Sequence, residues 1–469
     1  MDGRQALQLP CCLLVLGSAS IAYAQQPPKQ DMPPPYKLFR FEEDYRYLQD
    51  PTKRTDIWDP IKYIPMGSDP AWYLSLGGEL RERFEFYSHP NLGLQGQGPN
   101  SYLLHRLLLH ADLHASDYFR AFVQVGNHLA PWKDAAAPPY LDRLDFQQAF
   151  VDFRLPFSAD RDPILRLGRQ EMAYGSQRLV AIRDAPNVRR SFDGARLSGA
   201  IEGVSVDAFV TRPVQHQAGI FDDPSDQRQA FWGVYATTPA SFVSGGKHDL
   251  YYLGFENKQA LFAAGRGEER RQTIGSRFFG SAGGWDWDWE VLGQFGTFAD
   301  QNIRAWGVST DTGYTFDPAG WKVRLGLKAD IGSGDQNLHD ATLGTLNALF
   351  PKLAYFNQAA ILGPSNVMNL QPSLSFTPME KLQLTLGYGF LWRATTVDAI
   401  YTGAGVPVAG TAGQPGRFTG SQFSIDLAWQ VDRHVETGLG YVHFDPARVM
   451  QMAGGRDVDF TYLYATYRF

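Results

Sequence analysis

The chain has 469 residues and a formal net charge of −6 at neutral pH, with 43 Lys and Arg against 49 Asp and Glu. That balance argues against nucleic acid as a partner, because phosphate recognition asks for a basic surface. No window approaches the roughly 18 consecutive apolar residues of a membrane helix, and two cysteines, Cys11 and Cys12, are the whole thiol complement.

At the start of the chain Arg4 precedes an apolar run, Leu13 to Leu16, and Ala22-Tyr23-Ala24 fits a small-residue cleavage site. Residues 1–24 therefore read as a secretory signal peptide with Gln25 as the mature N-terminus, and both cysteines fall inside it. Residues 25–70 open on the proline-rich QQPPKQDMPPPYK and continue as charged and aromatic sequence without a sustained period. This is an N-terminal extension, either periplasmic or plug-like.

From residue 71 to 469 the pattern changes to period two. Leu74, Leu76, Leu80, Phe84 and Phe86 alternate with Ser75, Glu79, Arg81, Arg83 and Glu85, and the same alternation recurs around Leu325, Leu384 and Leu427. Such runs place apolar side chains on one face of a strand and polar ones on the other. The predicted strands are 73–87, 102–115, 117–127, 142–155, 163–172, 187–200, 204–212, 229–237, 249–258, 270–281, 285–299, 302–314, 321–331, 367–377, 381–394, 420–431, 435–444 and 457–469. Many approach the roughly 9–11 residues that a tilted strand needs to cross a bilayer. Trp285, Trp287 and Trp289 alternate with Asp286, Asp288 and Glu290, which suits an aromatic girdle facing lipid. The pattern predicts an all-β fold: a transmembrane antiparallel β-barrel of about 18 strands in the outer membrane. Tight connections at Ser116-Asp117, Glu202-Gly203, Gly283-Gly284, Asp317-Pro318 and Asp432-Arg433 alternate with long ones at 128–141, 173–186, 213–228, 332–366 and 395–419. The 332–366 segment is the loop expected to fold over or into the mouth. Phe469, ending TYLYATYRF, is the kind of terminus read by the outer-membrane assembly machinery.

The polar strand faces should line the lumen. Residues Arg166 to Arg196 hold seven arginines (166, 169, 178, 183, 189, 190 and 196) against Glu171, Asp184 and Asp193, a local excess of positive charge in an acidic chain. The expected substrate path comprises Arg81, Arg83, Arg106, Arg120, Gln148, Asp152, Arg154, Arg166, Gln170, Arg190, Arg196, Arg277, Arg324, Lys328 and Arg393. Lumenal acids share these faces, so pairs that only stiffen the wall are the competing reading for any single arginine. Collectively, a basic cluster between low-dielectric walls raises the local concentration of anions. Phe150, Phe192, Tyr462 and Tyr464 are inward aromatic candidates for stacking on sugars or packing against an inward loop. An enzyme is not expected: G-x-S-x-G and the nucleotide-binding glycine motifs are missing. His110, Asp112 and His114 share a strand face, but three polar residues on one face are what any lumen shows, so neither a metal nor a cofactor is expected.

The pieces LSLGGELRERFEFY (74–87), FVDF (150–153), LRLGRQEMAYGSQRLV (165–180), NVRRSFDGARL (187–197), VDAFVTRPV (206–214) and the terminal YRF resemble the alginate export family of Gram-negative outer-membrane proteins. The resemblance implies an eighteen-stranded barrel with a basic lumen through which an anionic polysaccharide leaves the cell, with periplasmic scaffold proteins as further partners. Two positions depart from the resembled pattern. Gln147-Gln148 stands where it carries an Arg-Glu pair, and Glu171 where it carries an arginine. Another polysaccharide, or uptake of a small anionic or sugar-like solute through a porin, stays open as the alternative.

Overall fold

The computed structural model describes residues 33–94, 96–157, 161–240 and 243–469. The expected signal peptide and cleavage site lie outside the described residues. Eighteen long strands follow in chain order: β1 Trp72–Tyr87, β2 Asn100–Ala115, β3 Phe119–Leu129, β4 Asp142–Arg154, β5 Arg161–Gln170 and β6 Phe192–Ile201. Next come β7 Val204–Pro213, β8 Gln229–Pro239, β9 Gly246–Phe262, β10 Gly265–Ala282, β11 Trp285–Phe298 and β12 Gln301–Phe316. The last six are β13 Lys322–Gly332, β14 Val367–Met379, β15 Leu382–Trp392, β16 Phe418–Gln430, β17 Val435–Pro446 and β18 Val458–Arg468.

Each strand pairs antiparallel with its neighbours in sequence, and β1 pairs with β18 from Glu79↔Arg468 to Tyr87↔Phe460. That last pairing closes the barrel and leaves no sheet edge, which is how a β-protein satisfies its backbone in lipid. Alternation is why these residues form strands here: Leu80, Phe84, Leu325, Leu463, Trp285 and Trp289 are exposed on the outer face, whereas Arg106, Arg271 and Arg277 are among the most buried side chains. Buried charge is costly unless paired, and the interior supplies partners: Arg271 to Glu269 at 2.5 Å, and Arg277 to Asp249 at 2.8 Å and to Asp288 at 2.6 Å. Across β5 and β6, Gly168 faces Gly194 in register, both with positive φ (130° and 156°). A Cβ at either would run into a neighbouring carbonyl, so only glycine lets the wall bend there.

The structure departs from the sequence expectation around the fifth and sixth strands. β5 stops at Gln170 and β6 starts only at Phe192, so 187–191 is not strand. Residues 171–191 form one long loop at the extracellular end, opposite the chain terminus and most of the tight turns.

At the periplasmic end residues 33–71 enter the lumen around Arg40–Leu48 and Trp58–Tyr63, while 49–55 and 65–70 stay exposed. The buried Arg40 guanidinium donates to the carbonyls of Gly78 and Phe469, both at 2.9 Å, and pairs with Glu43 at 2.8 Å. Phe41 stands edge-on to Phe122 and Phe150, with ring centroids 5.9 and 5.3 Å apart. Trp58 packs on Phe469 at 4.5 Å and donates through Nε1 to the Tyr467 hydroxyl at 2.7 Å.

Candidate functional site

Two extracellular loops, 171–191 and 333–366, turn inward and meet inside the barrel. Their backbones bond directly: Ala181 N to Phe350 O at 2.9 Å, Phe350 N to Leu179 O at 2.9 Å, and Lys352 N to Gln177 O at 3.0 Å. Phe350 caps the junction, packed against Phe192, Phe231 and Phe255 at 5.1, 4.9 and 5.3 Å. Phe192 is thus spent on packing the inward loop.

Electrostatic anchors tie this junction to the wall at two places. On one side Asp184 receives Arg106 and Arg189 at 2.7 Å and Arg81 at 3.2 Å. Glu79 answers the same group, with Arg189 at 3.3 Å, Arg106 at 3.6 Å and Arg468 at 3.0 Å. Burial pushes the Asp184 carboxyl up, but Arg106, Arg189 and Arg81 together hold it well below the usual carboxylate range. On the other side Arg178 reaches Asp288 at 2.7 Å, Glu290 at 2.9 Å and the Tyr355 hydroxyl at 2.8 Å.

Below the junction the periplasmic half of the lumen is a cavity of about 890 Å³, whose lining extends to the tight turns at Gly283-Gly284 and Asp317. Its lining carries eleven basic and eight acidic side chains, an excess of three positive charges. Lys352, in its roof, has no carboxylate within ion-pair distance among the described residues. Burial pushes its ammonium down to about 8, helped by Lys328 and opposed by Asp184 and Asp426. Lys328 donates to the Tyr355 carbonyl at 3.0 Å and sits 4.7 Å from the centre of that ring. Above, in the loop itself, Arg183 bonds the Val188 carbonyl at 3.3 Å and Arg190 lies 4.9 Å from the centre of the Phe350 ring. Neither has a carboxylate partner among the described residues; burial pushes Arg183 down to about 10, and burial with the nearby Arg183 lowers Arg190.

The residues expected from sequence to form the path separate into groups. Arg81, Arg83, Arg106, Arg277, Arg324 and Lys328 line the cavity. Arg83 pairs with Glu85 at 2.6 Å and lies over Tyr462, while Arg324 bridges Asp286 and Asp311 at 2.6 and 2.9 Å. Six others belong to the β2–β7 side, away from the cavity. Arg120 pairs with Asp112 at 2.5 Å, and Arg196 with Asp207 at 2.9 Å. Asp152 pairs with Arg166 at 2.8 Å, and Arg166 is sandwiched between the rings of Phe41 and Phe150 at 3.9 and 3.7 Å. Gln148 bonds Gln124 at 3.0 Å, and Gln170 is fully buried. Arg154 is exposed at the periplasmic end of β4. Arg190 is in the loop, not on a strand. Arg393 lies past the end of β15, where its guanidinium donates to the carbonyls of Thr396, Thr411, Gln414 and Gly416 and knots the 393–417 loop.

Asp184, Arg189 and Lys352 were not anticipated as a site. Arg189 sits on the wrong parity for a strand running from 187, and the Asp184-Ala185-Pro186 turn was the signal that the loop continues past it. Arg169, also of opposite parity, points outward and pairs with Asp193 at 2.9 Å and Asp145 at 3.4 Å. The two positions that depart from the resembled pattern touch each other: Gln147 Nε2 donates to Glu171 Oε1 at 3.0 Å. Burial pushes the Glu171 carboxyl up to about 7, against the pull of Arg189 and Arg106.

The sequence profile of the family described as alginate export matches residues 72–463. The chain belongs to the alginate export family. No curated protein matches it in sequence. Solved structures resemble it in fold at low identity. Pseudomonas aeruginosa OccK9 (OpdG) has a TM-score of 0.57 at 13% identity, over 84% of this chain and 98% of that one. Acinetobacter baumannii OccAB1 has a TM-score of 0.56 at 12% identity, over 88% and 99%. P. aeruginosa OccK2 (OpdF), solved in complex with glucuronate, has a TM-score of 0.52 at 14% identity, over 84% and 96%. Family and fold together make this member an outer-membrane channel.

Proposed function

We propose that this alginate export family member carries an anionic, uronate-class polysaccharide outward across the outer membrane. The observation that carries the reading is the periplasmic cavity, whose lining is basic by three charges, with Lys352 and Lys328 in its roof in no ion pair among the described residues. Paired arginines present a charge-balanced wall, whereas an uncompensated ammonium attracts a passing carboxylate without the fork geometry that would trap it. The six path residues that line the cavity, together with Lys352, are the proposed contacts. Residues 33–71 act as a plug on the β1–β5 side and narrow the entry to the β10–β18 side.

A second reading, uptake of a single anionic sugar, draws on the closed extracellular side: the loop junction is bonded backbone to backbone and clamped by Arg178. A cavity of about 890 Å³ suits a few sugar units, and the structurally similar OccK2 was solved with glucuronate.

Planar-bilayer recording separates the two. Export expects anion selectivity and current block by a hexameric oligouronate from the periplasmic side, with free glucuronate blocking weakly and a neutral hexasaccharide not at all. Equal block by glucuronate from the extracellular side favours uptake. Cation selectivity without block defeats both.

A further inference from the structure

At the extracellular rim, away from the cavity, the start of β4 meets the loop 214–228. Ile220 bridges Leu144, and Phe221 N donates to Leu144 O at 2.8 Å. Three ligand-bearing side chains converge there: Asp142, His216 and Asp223, each offering one donor atom within 4.8 Å of the others. Acids often gather on loops without purpose, but two atoms here have no such account. Asp142 is 2% exposed, and its Oδ1 is buried with no hydrogen-bond partner. Its whole carboxylate lacks an ion pair or hydrogen bond among the described residues. His216 Nδ1 is engaged with Asp223 Oδ2 at 2.7 Å, which leaves Nε2, also buried, without a partner. A buried carboxylate left bare is costly, and Asp142 is left bare beside His216 and Asp223, whose Nδ1 and Oδ2 face each other; an ion drawing on all three replaces that hydrogen bond and leaves the ring proton on Nε2.

We propose that Asp142, His216 and Asp223 form a divalent-cation site of the zinc class that fastens the 214–228 loop to the barrel rim. An imidazole nitrogen with two carboxylate oxygens is a three-ligand set that leaves a position for water and suits zinc. Calcium prefers six to eight oxygens. Asp223 is itself held in place: its Oδ1 accepts from Gln217 N at 2.5 Å and its N donates to Asp145 Oδ2 at 3.0 Å. The neighbouring Asp145, Asp222 and Asp223 also approach one another. That group is a weaker candidate, because Asp145 is already taken by Arg169 at 3.4 Å and by backbone N–H groups. His128 stands directly across from Asp142 in the β3–β4 register, with both ring nitrogens buried and unpartnered.

The test uses the full, untagged chain folded in detergent, stripped with a chelator, exposed to Zn²⁺ alone and dialysed before elemental analysis. About one zinc per chain is expected, falling about tenfold or more in D142N and in H216Q. D222N should keep the metal. Zinc should also slow protease cleavage within 214–228 in the wild type and not in D142N. Folding of each variant is checked by strand content in circular dichroism, so that if D142N fails to fold, H216Q still decides. No retained zinc in the wild type, or zinc retained by both D142N and H216Q, overturns the site. Loss in D222N with retention in D142N moves it to the all-oxygen group, and a parallel exposure to Ca²⁺ alone that leaves Ca²⁺ bound where Zn²⁺ is not retained overturns the class of ion.

Discussion

Asp184→Asn tests whether the arginine cluster beneath the loop junction is an electrostatic filter rather than a stiffened wall. The carboxylate sits among Arg81, Arg106 and Arg189, whose side chains are 0–6% exposed, while its own side chain is 45% exposed to the cavity. Removing one partner of a fully buried pair costs about 3–5 kcal/mol; water reaching Asp184 screens part of that, so a loss of about 1–3 kcal/mol is expected. The loop should nevertheless stay in place. Asn187 Nδ2 donates to the carbonyls of His105, Leu129 and Tyr140, and Arg106 still holds the Asn187 carbonyl at 2.7 Å. The local sum over Arg81, Arg106, Arg189, Glu79 and Asp184 then rises from +1 to +2. One added charge about 6 Å from the path is worth about 0.7 kcal/mol in water, attracting the anion and repelling the cation, so the permeability ratio moves by up to about tenfold before salt screening. Reversal potentials across a KCl gradient should shift toward chloride, with single-channel conductance unchanged. An unshifted potential, or one that moves toward potassium, would refute the assignment of this cluster as the filter.

Four further outcomes follow from the same geometry. Because Lys352 titrates at about 8, oligouronate block should weaken as pH rises from 7 to 9; K352R, always charged, should hold its block across that range, and an identical pH response would clear Lys352. Asn187→Ala removes three bonds from a fully buried amide and should cost about 2–4 kcal/mol in urea unfolding while raising conductance as the loop frees itself. Lys328→Ala, in the cavity lining, should weaken oligouronate block about threefold, a loss of about 0.7 kcal/mol, whereas Arg166→Ala, covered by Phe41, and Arg190→Ala, against Phe350 in the loop, should leave block unchanged. Arg40→Ala frees residues 33–71 from Gly78 and Phe469, and should raise conductance and expose the segment to protease from the periplasmic side.

The barrel was legible because period-two alternation is a local property: a residue's face follows from its parity, and lipid enforces the outer face strand after strand. The lumen was less so. Parity tells that Arg81, Arg166 and Arg324 point inward, but not what is folded in against them. Arg166 is taken by Phe41, 125 positions earlier in sequence, while Arg81 meets Asp184 in a loop with no period at all. The error at 187–191 is instructive. NVRRSFDGARL reads as one strand because valine and phenylalanine happen to keep the alternation through Arg189 and Arg190. Pro186 and the three-carbonyl grip on Asn187 win over that local preference and turn the segment into the lumen.

Gln147 and Glu171 carry the argument about specificity one step further. They depart from the resembled pattern together and touch at 3.0 Å, behind loop 171–191 and off the cavity lining. Both changes put an uncharged or acidic side chain where the resembled pattern has an arginine, and the two now bond each other, so they bear on how the loop is held. Gln147 Nε2 also reaches Ser191 Oγ at 2.8 Å and the Arg189 carbonyl at 3.2 Å, at the point where the loop re-enters β6. With its carboxyl at about 7, Glu171 ionises as pH rises past neutrality. Its folded pKa is above the unfolded one, so the stability it contributes is full below the unfolded value of about 4.3 and declines as pH climbs toward 7. E171Q removes that titration and should flatten the pH dependence of loop protection in hydrogen exchange between pH 5 and 8. An unchanged slope in E171Q would place the origin of any such dependence elsewhere.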